Sequence, residues 1–282
     1  MEKREVVVKR VTKKDFSRLP NKWARGVDLC DLSPLALKMF FVVLGKIQAS
    51  GHVGSSAHFN WKELGAVLTP DSQRVAHYCN YTTLSAAFDE LTTVKIDHSF
   101  LNPLGQREKW RSVLFQAIGV NEETGDVEVV LSTGFRKILY LLNNAQTLGW
   151  TKLMSEDVNK LHSSGQINLY LLICSYVRLT YPNARFVTIE TLRRKAGLTS
   201  AYYNDWNRSR DKINSMLRRM NELLGRSMKA IPVQSKRGFQ LDDVSIIGSK
   251  AKEVSDYDKK GSKEAGKRTK AYGEAGRGAK PH

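Results

Sequence analysis

The chain has 282 residues, 41% of them hydrophobic, and its 45 Lys and Arg against 28 Asp and Glu give a formal net charge of +17. That is enough apolar material for two ordinary domains, and the basic excess favours a polyanionic partner, with nucleic acid the first candidate. No apolar run approaches the roughly 20 residues that span a bilayer, and the three widely spaced cysteines form no CxxC pair, so we expect a cytoplasmic protein without membrane contact, disulfide framework or zinc ribbon.

The positive charge is concentrated in three stretches. Residues 1–25 carry nine Lys and Arg against three acids, 193–237 carry twelve against three, and 250–282 carry ten against five. Residues 1–28 lack a sustained hydrophobic period and predict a basic flexible arm, which either touches DNA backbone or is a plain solvated terminus. Residues 250–282 hold almost no large apolar side chain, so they predict a disordered basic tail.

Residues 29–134 follow the element order of a winged-helix domain. The predicted helices begin at Ser33, at Asn60 and near residue 81, and the predicted strands are Lys95–Phe100, Trp110–Val120 and Asp126–Leu131. A connecting helix that begins at Phe135 is expected within a linker, residues 135–155.

Residues 156–249 repeat this order as a C-terminal winged-helix domain. A long helix over 163–180 is followed by a short strand and helix, a second long helix over 204–224, and a hairpin of Met228–Gln234 and Phe239–Ile247. The predicted fold class is therefore α+β, with tandem winged-helix domains joined by a connecting helix.

The helix at 204–224 has two opposed faces at about 100° per residue. One face is apolar, with Trp206, Ile213, Leu217, Met220 and Leu224, and the other carries Arg208, Lys212, Ser215 and Arg219. Guanidinium groups pair with guanine edges or phosphates, and amides pair with adenine, so this face suits a DNA major groove. A solvated charged face is the alternative.

The candidate DNA-binding residues lie on this helix and on both sides of it. Three cations of the preceding helix are expected to hold the DNA backbone, and two at the tip of the hairpin are expected to anchor the wing, unless that tip is an ordinary exposed turn. The candidates are Arg193, Arg194, Lys195, Asn204, Asn207, Arg208, Lys212, Ser215, Arg219, Lys236 and Arg237.

Four segments carry a resemblance to a known family. They are VEVVLSTGFRKILYLL (127–142), INLYLLICSYVR (167–178), FVTIETLRRKAGL (186–198) and the helix that contains Trp206 and Arg208. In their order and spacing, residues 29–248 resemble the iteron-binding plasmid replication initiators of the Rep class. The resemblance implies two winged-helix domains that bind repeated double-stranded origin sites, open nearby duplex and recruit the host initiator and replicative helicase. It also implies a possible homodimer that represses its own gene.

One feature departs from the family, whose monomers place both winged helices on DNA. The third helix of the first half, around 81–92, carries Asp89 and Glu90 but no Lys or Arg, and an acidic helix repels phosphate. We therefore expect base recognition in the second half, with dimerisation or a backbone clamp at Arg107, Lys109 and Arg111 in the first.

An enzymatic function is not supported by the sequence. No two histidines flank a single residue as in metal-dependent nicking initiators, and no glycine-rich loop ends in Gly-Lys-Ser/Thr. Tyr202 and Tyr203 fit packing at a helix start, or a phosphate hydrogen bond, better than nucleophilic attack. We therefore predict a binding protein that needs no cofactor or metal.

Two other binding functions stay open. A winged-helix transcriptional regulator or autorepressor would share the DNA-binding helix, although a second winged unit is unusual for a simple regulator. RNA binding would require aromatic side chains exposed on a sheet, whereas Trp110 and Phe115 are expected in the core of the first hairpin.

Overall fold

The computed structural model describes residues 16–49, 56–68, 81–101, 104–143, 149–177, 185–233 and 237–243. The predicted tail, residues 1–15 of the predicted arm, and Lys236 lie outside this part of the chain. The described residues up to Asp242 form one compact unit. None of their helices is both long and apolar enough to cross a bilayer.

The first half alternates helices with short strands. In chain order its elements are β1 (Phe16–Pro20), α1 (Asn21–Gly26), α2 (Pro34–Ala49), β2 (Ser56–Asn60), α3 (Trp61–Leu68), α4 (Tyr81–Thr93), β3 (Ile96–Leu101), β4 (Arg107–Ser112), β5 (Phe115–Asn121), β6 (Asp126–Leu131), α5 (Thr133–Asn143) and β7 (Trp150–Met154).

The second half repeats the helix, strand, helix, helix, hairpin order. Its elements are α6 (Ser155–Lys160), α7 (Ser164–Val177), β8 (Phe186–Thr188), α8 (Ile189–Lys195), a 3₁₀ turn (Ala201–Asn204), α9 (Trp206–Leu224), β9 (Met228–Val233) and β10 (Gly238–Asp243).

The two halves share a sheet topology as well as an element order. In the first half the strands lie in the order β2-β6-β5, and in the second they lie in the order β8-β10-β9, so each leading strand pairs with the last strand of its wing. Both of those pairings are antiparallel and place apolar residues opposite each other, as in Phe59 opposite Val127 and Val187 opposite Phe239. These are tandem winged-helix domains, and the first carries an inserted β3-β4 hairpin.

The predicted helix starts depend on local side-chain caps. The Ser33 hydroxyl accepts from the backbone N–H of Ala36 (3.2 Å) at the start of α2, and the Asn60 side chain accepts from the N–H of Lys62 (3.0 Å) at the start of α3. Thr188 accepts from the N–H of Thr191 (3.3 Å) at α8. Such caps satisfy backbone donors that a helix leaves unpaired, so these starts follow from the sequence alone.

Two predicted boundaries were wrong. Residues 16–26 are not part of a flexible arm: β1 pairs antiparallel with β7, and Trp23 of α1 is 1% exposed. The strand predicted over Trp110–Val120 is two strands, β4 and β5, with different partners in different sheets. Both errors concern pairings between distant segments, which hydrophobic periodicity does not reveal.

Segment 21–32 joins the two winged-helix domains. Arg25 donates to the carbonyl of Ser175 (2.5 Å) and lies over the ring of Tyr176, both in α7. Ser164, at the start of the same helix, donates to the carbonyl of Leu32 (2.6 Å). Because Trp23 is buried in the first-half core, beside Phe40 and Phe135, this segment contacts both halves.

Candidate nucleic-acid interface

The helix α9 is fixed at both ends by its own sequence. The Asp205 side chain accepts from the backbone N–H of Arg208 (2.9 Å), and Gly225 ends the helix with φ +61°, a left-handed conformation that suits glycine. Ile213, Leu217 and Met220 are buried on its inner face. The predicted apolar face is therefore present, although Trp206 is only half-buried, where it stacks on Phe239 (ring centroids 5.1 Å apart).

The opposite face of α9 is exposed. Arg208, Lys212, Ser215 and Arg219 are all exposed, as is Asn207 in the first turn. Within the part of the chain that the structure describes, none of these three cations is in an ion pair. An exposed Asp211 also lies on this side, but its carboxylate forms an ion pair with Arg210 (3.0 Å). The face therefore presents cations that remain available to an external anion.

The 3₁₀ turn before α9 orients two of the predicted contacts. The Arg208 guanidinium lies 4.3 Å from the ring centroid of Tyr202, which is 58% exposed and packs edge-on against Tyr203. Arg193 donates to the Asn204 side-chain oxygen (2.5 Å), so that oxygen is already engaged and the amide is left to offer mainly its N–H donors. This geometry departs from the expected Asn204 contact with adenine, which uses both amide atoms.

The three successive cations of α8 lie in three different environments. Arg194 is exposed, 3.8 Å from the Asp28 carboxylate, and Arg193 is half-buried against Asn204. Lys195 is 0% exposed, and its ammonium donates to the carbonyls of Ala24 (3.0 Å) and Val27. Burial lowers the pKa of Lys195 to about 7. Lys195 links the domains internally, so its predicted role as a DNA-backbone contact is corrected.

Among the described residues of the second-half wing, two cations are exposed. Arg237 is exposed at the hairpin, with φ +46°. Lys229, which was not among the predicted residues, is exposed on β9, where buried and exposed residues alternate between Met228 and Ile231. That alternation is visible in the sequence and would have identified Lys229 as an outward cation.

The first half presents a different surface at the corresponding helix, α4. Asp89 is exposed, whereas the Glu90 carboxylate turns inward and accepts from the backbone N–H of Ser33 (2.7 Å). Exposed cations occur instead on β4, at alternate positions, and they are Arg107, Lys109 and Arg111. Arg111 is already paired with Asp97 (2.6 Å), so this stretch is less available to DNA than its sequence indicates.

The described residues contain no group of three or more His, Cys, Asp or Glu side chains placed to hold a metal ion. The candidate interface presents hydrogen-bond donors and cations carried by α8, α9 and the wing. Donors in that arrangement bind oxyanions and the acceptor atoms of base edges.

Comparison with known proteins places this interface in context. Residues 26–174 match the family model described as initiator replication protein, WH1. The crystal structure of Pi initiator protein in complex with iteron DNA is similar in fold, with a TM-score of 0.59 and 14% sequence identity over 82% of this chain and 96% of that chain. No curated protein matches the chain.

Two further solved structures match the chain with lower TM-scores. One is the WH1 domain of a replication protein isolated from a multiple sclerosis patient, with a TM-score of 0.29 and 14% identity over 42% of this chain and 87% of that one. The other comprises domains 2 and 3 of RctB, with a TM-score of 0.41 and 13% identity over 74% and 80%.

Proposed function

Because this chain belongs to the initiator replication protein family, we propose that it recognises repeated double-stranded DNA sites at a plasmid replication origin. The observation that carries the proposal is the outer face of α9, where Arg208, Lys212 and Arg219 are exposed and carry no ion pair among the described residues. An α-helix fits the major groove of B-DNA, and exposed cations there contact base edges or neutralise phosphates.

Arg208 is the residue best placed to recognise a base. Its position in the first turn of α9 corresponds to the part of a recognition helix that meets base edges. The Tyr202 ring restricts the guanidinium, so less side-chain entropy is lost when it pairs with guanine. Lys212, Ser215 and Arg219 lie further along the helix and are assigned to the backbone, together with Arg194, Arg237 and Lys236.

The first winged-helix domain has another role in this proposal. The α4 face is uncharged or acidic, so we assign this domain to homodimer formation, with any DNA contact limited to the backbone. Opening of the adjacent duplex and recruitment of the host initiator and replicative helicase complete the proposed initiator function. These steps are inferred from family membership.

Footprinting of the purified protein on DNA flanking its own gene tests the proposal. Protection of several regularly spaced sites with local strand opening supports initiation. A single protected promoter site without opening would support the alternative, a winged-helix autorepressor, and absence of any protected site would contradict both.

A matched pair of variants tests the assignment of Arg208. Arg208→Ala should weaken binding to the protected site by about 1 to 3 kcal/mol and relax the preference at one base pair. Lys137→Ala, which removes an exposed cation of α5 in the first domain, should leave that preference unchanged. Equal losses on specific and random duplex for Arg208→Ala would overturn the assignment. Competition binding with single-base variants of the site measures both quantities.

A further inference from the structure

A cavity of about 260 Å³ lies beside α9, between the start of α7 and the turn that follows α8. Ser163 and Gln166 line it from the α7 side, and Lys212, Ser215 and Arg219 line it from α9. None of the described residues that line it carries a carboxylate. Gly165 allows α7 to lie close to the turn that follows α8, because a Cβ atom at this position would meet the carbonyl of Ala196.

Gln166 lines this cavity with a side chain that hydrogen bonds hold in place. Its side-chain oxygen accepts from the backbone N–H groups of His162 (2.8 Å) and Ser163 (3.2 Å), while the Ser163 hydroxyl accepts from the N–H of Gln166 (3.2 Å). This reciprocal capping box fixes the side chain, which is 5% exposed. Within the described part of the chain, the amide nitrogen Nε2 donates to no protein acceptor.

The identity of this residue is informative because a capping box accepts Glu as well as Gln. Glu would interact more favourably with the positive end of the helix dipole. Gln166 instead carries an N–H₂ group and adds no negative charge to the lining. The cavity therefore gains a donor at the position where the commoner acidic cap would repel an anion.

The opposite wall adds two cations and a hydroxyl. Lys212 and Arg219 are two helical turns apart on α9, with Ser215 between them, and both cations are exposed. Together with Gln166 they form a set of donors suited to a ligand that is anionic and only accepts hydrogen bonds. A phosphate group meets both requirements.

We propose that this cavity binds one phosphate of the DNA backbone at the edge of the major groove that α9 enters. The proposal rests on the proposed function and extends it, because it assigns Gln166 and Ser163 of α7 to the interface. Phosphates border both sides of a groove occupied by a recognition helix, and contacts to them fix the register of the protein on the duplex. The cavity thus couples the position of α9 in the groove to the start of α7.

The test uses the full chain and a duplex that contains one protected site, with a single neutral methylphosphonate placed in turn at each backbone position. For the wild-type protein, one position should weaken binding about ten-fold when neutralised. Gln166→Glu keeps the capping oxygens but replaces the donor with an anion. It should bind the native duplex about ten-fold more weakly and lose its sensitivity at that position.

Lys212→Gln alters an exposed side chain and should also lose sensitivity at that position, which keeps the test valid if Gln166→Glu is poorly folded. Arg218→Gln is the matched control, since Arg218 is an exposed cation of α9 outside the cavity, and it should retain the sensitivity. Thermal unfolding followed by circular dichroism should give Gln166→Glu a melting temperature at least equal to that of the wild type.

Three outcomes would overturn the assignment. If both cavity variants keep the wild-type methylphosphonate profile, the cavity takes no DNA phosphate. If inorganic phosphate binds the wild type but not Gln166→Glu in calorimetry, and the DNA profiles are unchanged, the ligand is a free phosphate. If the wild-type protein protects no duplex, the proposed function fails as well. If it protects duplex but both cavity variants keep the wild-type methylphosphonate profile, only the cavity assignment fails.

Discussion

Acidification should destabilise the first domain through one buried histidine, His98 of β3. This side chain is 1% exposed, and its Nδ1 accepts from the indole N–H of Trp23 (2.9 Å) while Nε2 lies 3.0 Å from the Ser112 hydroxyl. An Nδ1 that accepts a hydrogen bond carries no proton, so the folded state requires the neutral ring. Burial, partly offset by the charge of Asp97, lowers the pKa of His98 to about 4.

The size and sign of the effect follow from that pKa. An unfolded histidine titrates near 6.5, and each pKa unit between the two states corresponds to about 1.4 kcal/mol. Between pH 6.5 and 4 the unfolded chain binds a proton that folded His98 does not, so the free energy of unfolding falls as the pH falls. The loss from this residue is about 3 kcal/mol at pH 4. Because Trp23 belongs to α1, which also contacts α7, acid should loosen the junction between the domains.

Urea unfolding followed by circular dichroism at pH 7 and at pH 4 measures the effect. His98→Asn keeps an oxygen acceptor for Trp23 but does not titrate. This variant should be less stable than the wild type at neutral pH, because a smaller side chain leaves a cavity. On acidification it should lose about 3 kcal/mol less than the wild type. Equal losses for the two proteins, or an NMR titration of the His98 ring with a midpoint near 6.5, would refute the reasoning.

Two further predictions concern carboxylates near the second winged-helix domain. Asp205→Ala removes the cap of α9 and should lower the free energy of unfolding by about 1 kcal/mol, whereas Asp205→Asn should preserve it. Asp157→Ala removes the acceptor shared by Arg226 (2.5 Å) and the Tyr170 hydroxyl (2.6 Å) and should cost about 3 kcal/mol, since a mostly buried cation then loses a carboxylate acceptor. Glu156→Ala breaks an exposed pair and should cost under about 0.5 kcal/mol. Urea unfolding measures all four variants, and similar costs for Asp157→Ala and Glu156→Ala would contradict the second prediction.

The features that the sequence predicted well are those determined by local chemistry. The two faces of α9 follow from a period of 3.6 residues, and Gly225 ends the helix after the predicted Leu224. The predicted start at residue 204 was two residues early, because Ala201–Asn204 form a 3₁₀ turn and Asp205 caps a helix that begins at Trp206. The tandem winged-helix order was also predictable, because it requires only the succession of helices, strands and turns along the chain. No knowledge of which distant segments meet was needed for either prediction.

The features that were missed depend on contacts between distant residues. Strand β1 pairs with β7 more than a hundred residues later, and nothing in the basic composition of residues 1–25 indicates that pairing. The basic composition of this stretch favoured a flexible arm, although it contains Trp23, whose burial fixes α1 between the domains. Likewise, Gln166 gives no signal by itself, and its significance depends on Lys212 and Arg219, which the fold brings to the opposite wall of one cavity.

The run Arg193-Arg194-Lys195 illustrates how far charge alone predicts an interface. Successive residues of a helix point about 100° apart, so three adjacent cations cannot share one environment. Ile189 and Leu192 are buried, and Lys195 follows Leu192 by three residues, on the same face of α8. That spacing predicts an inward Lys195, which requires internal acceptors, and the carbonyls of Ala24 and Val27 supply them. The position of a cation relative to the buried residues of its helix therefore decides its environment. Arg194, out of phase with the core, is exposed, whereas Lys195, in phase with it, stabilises the fold.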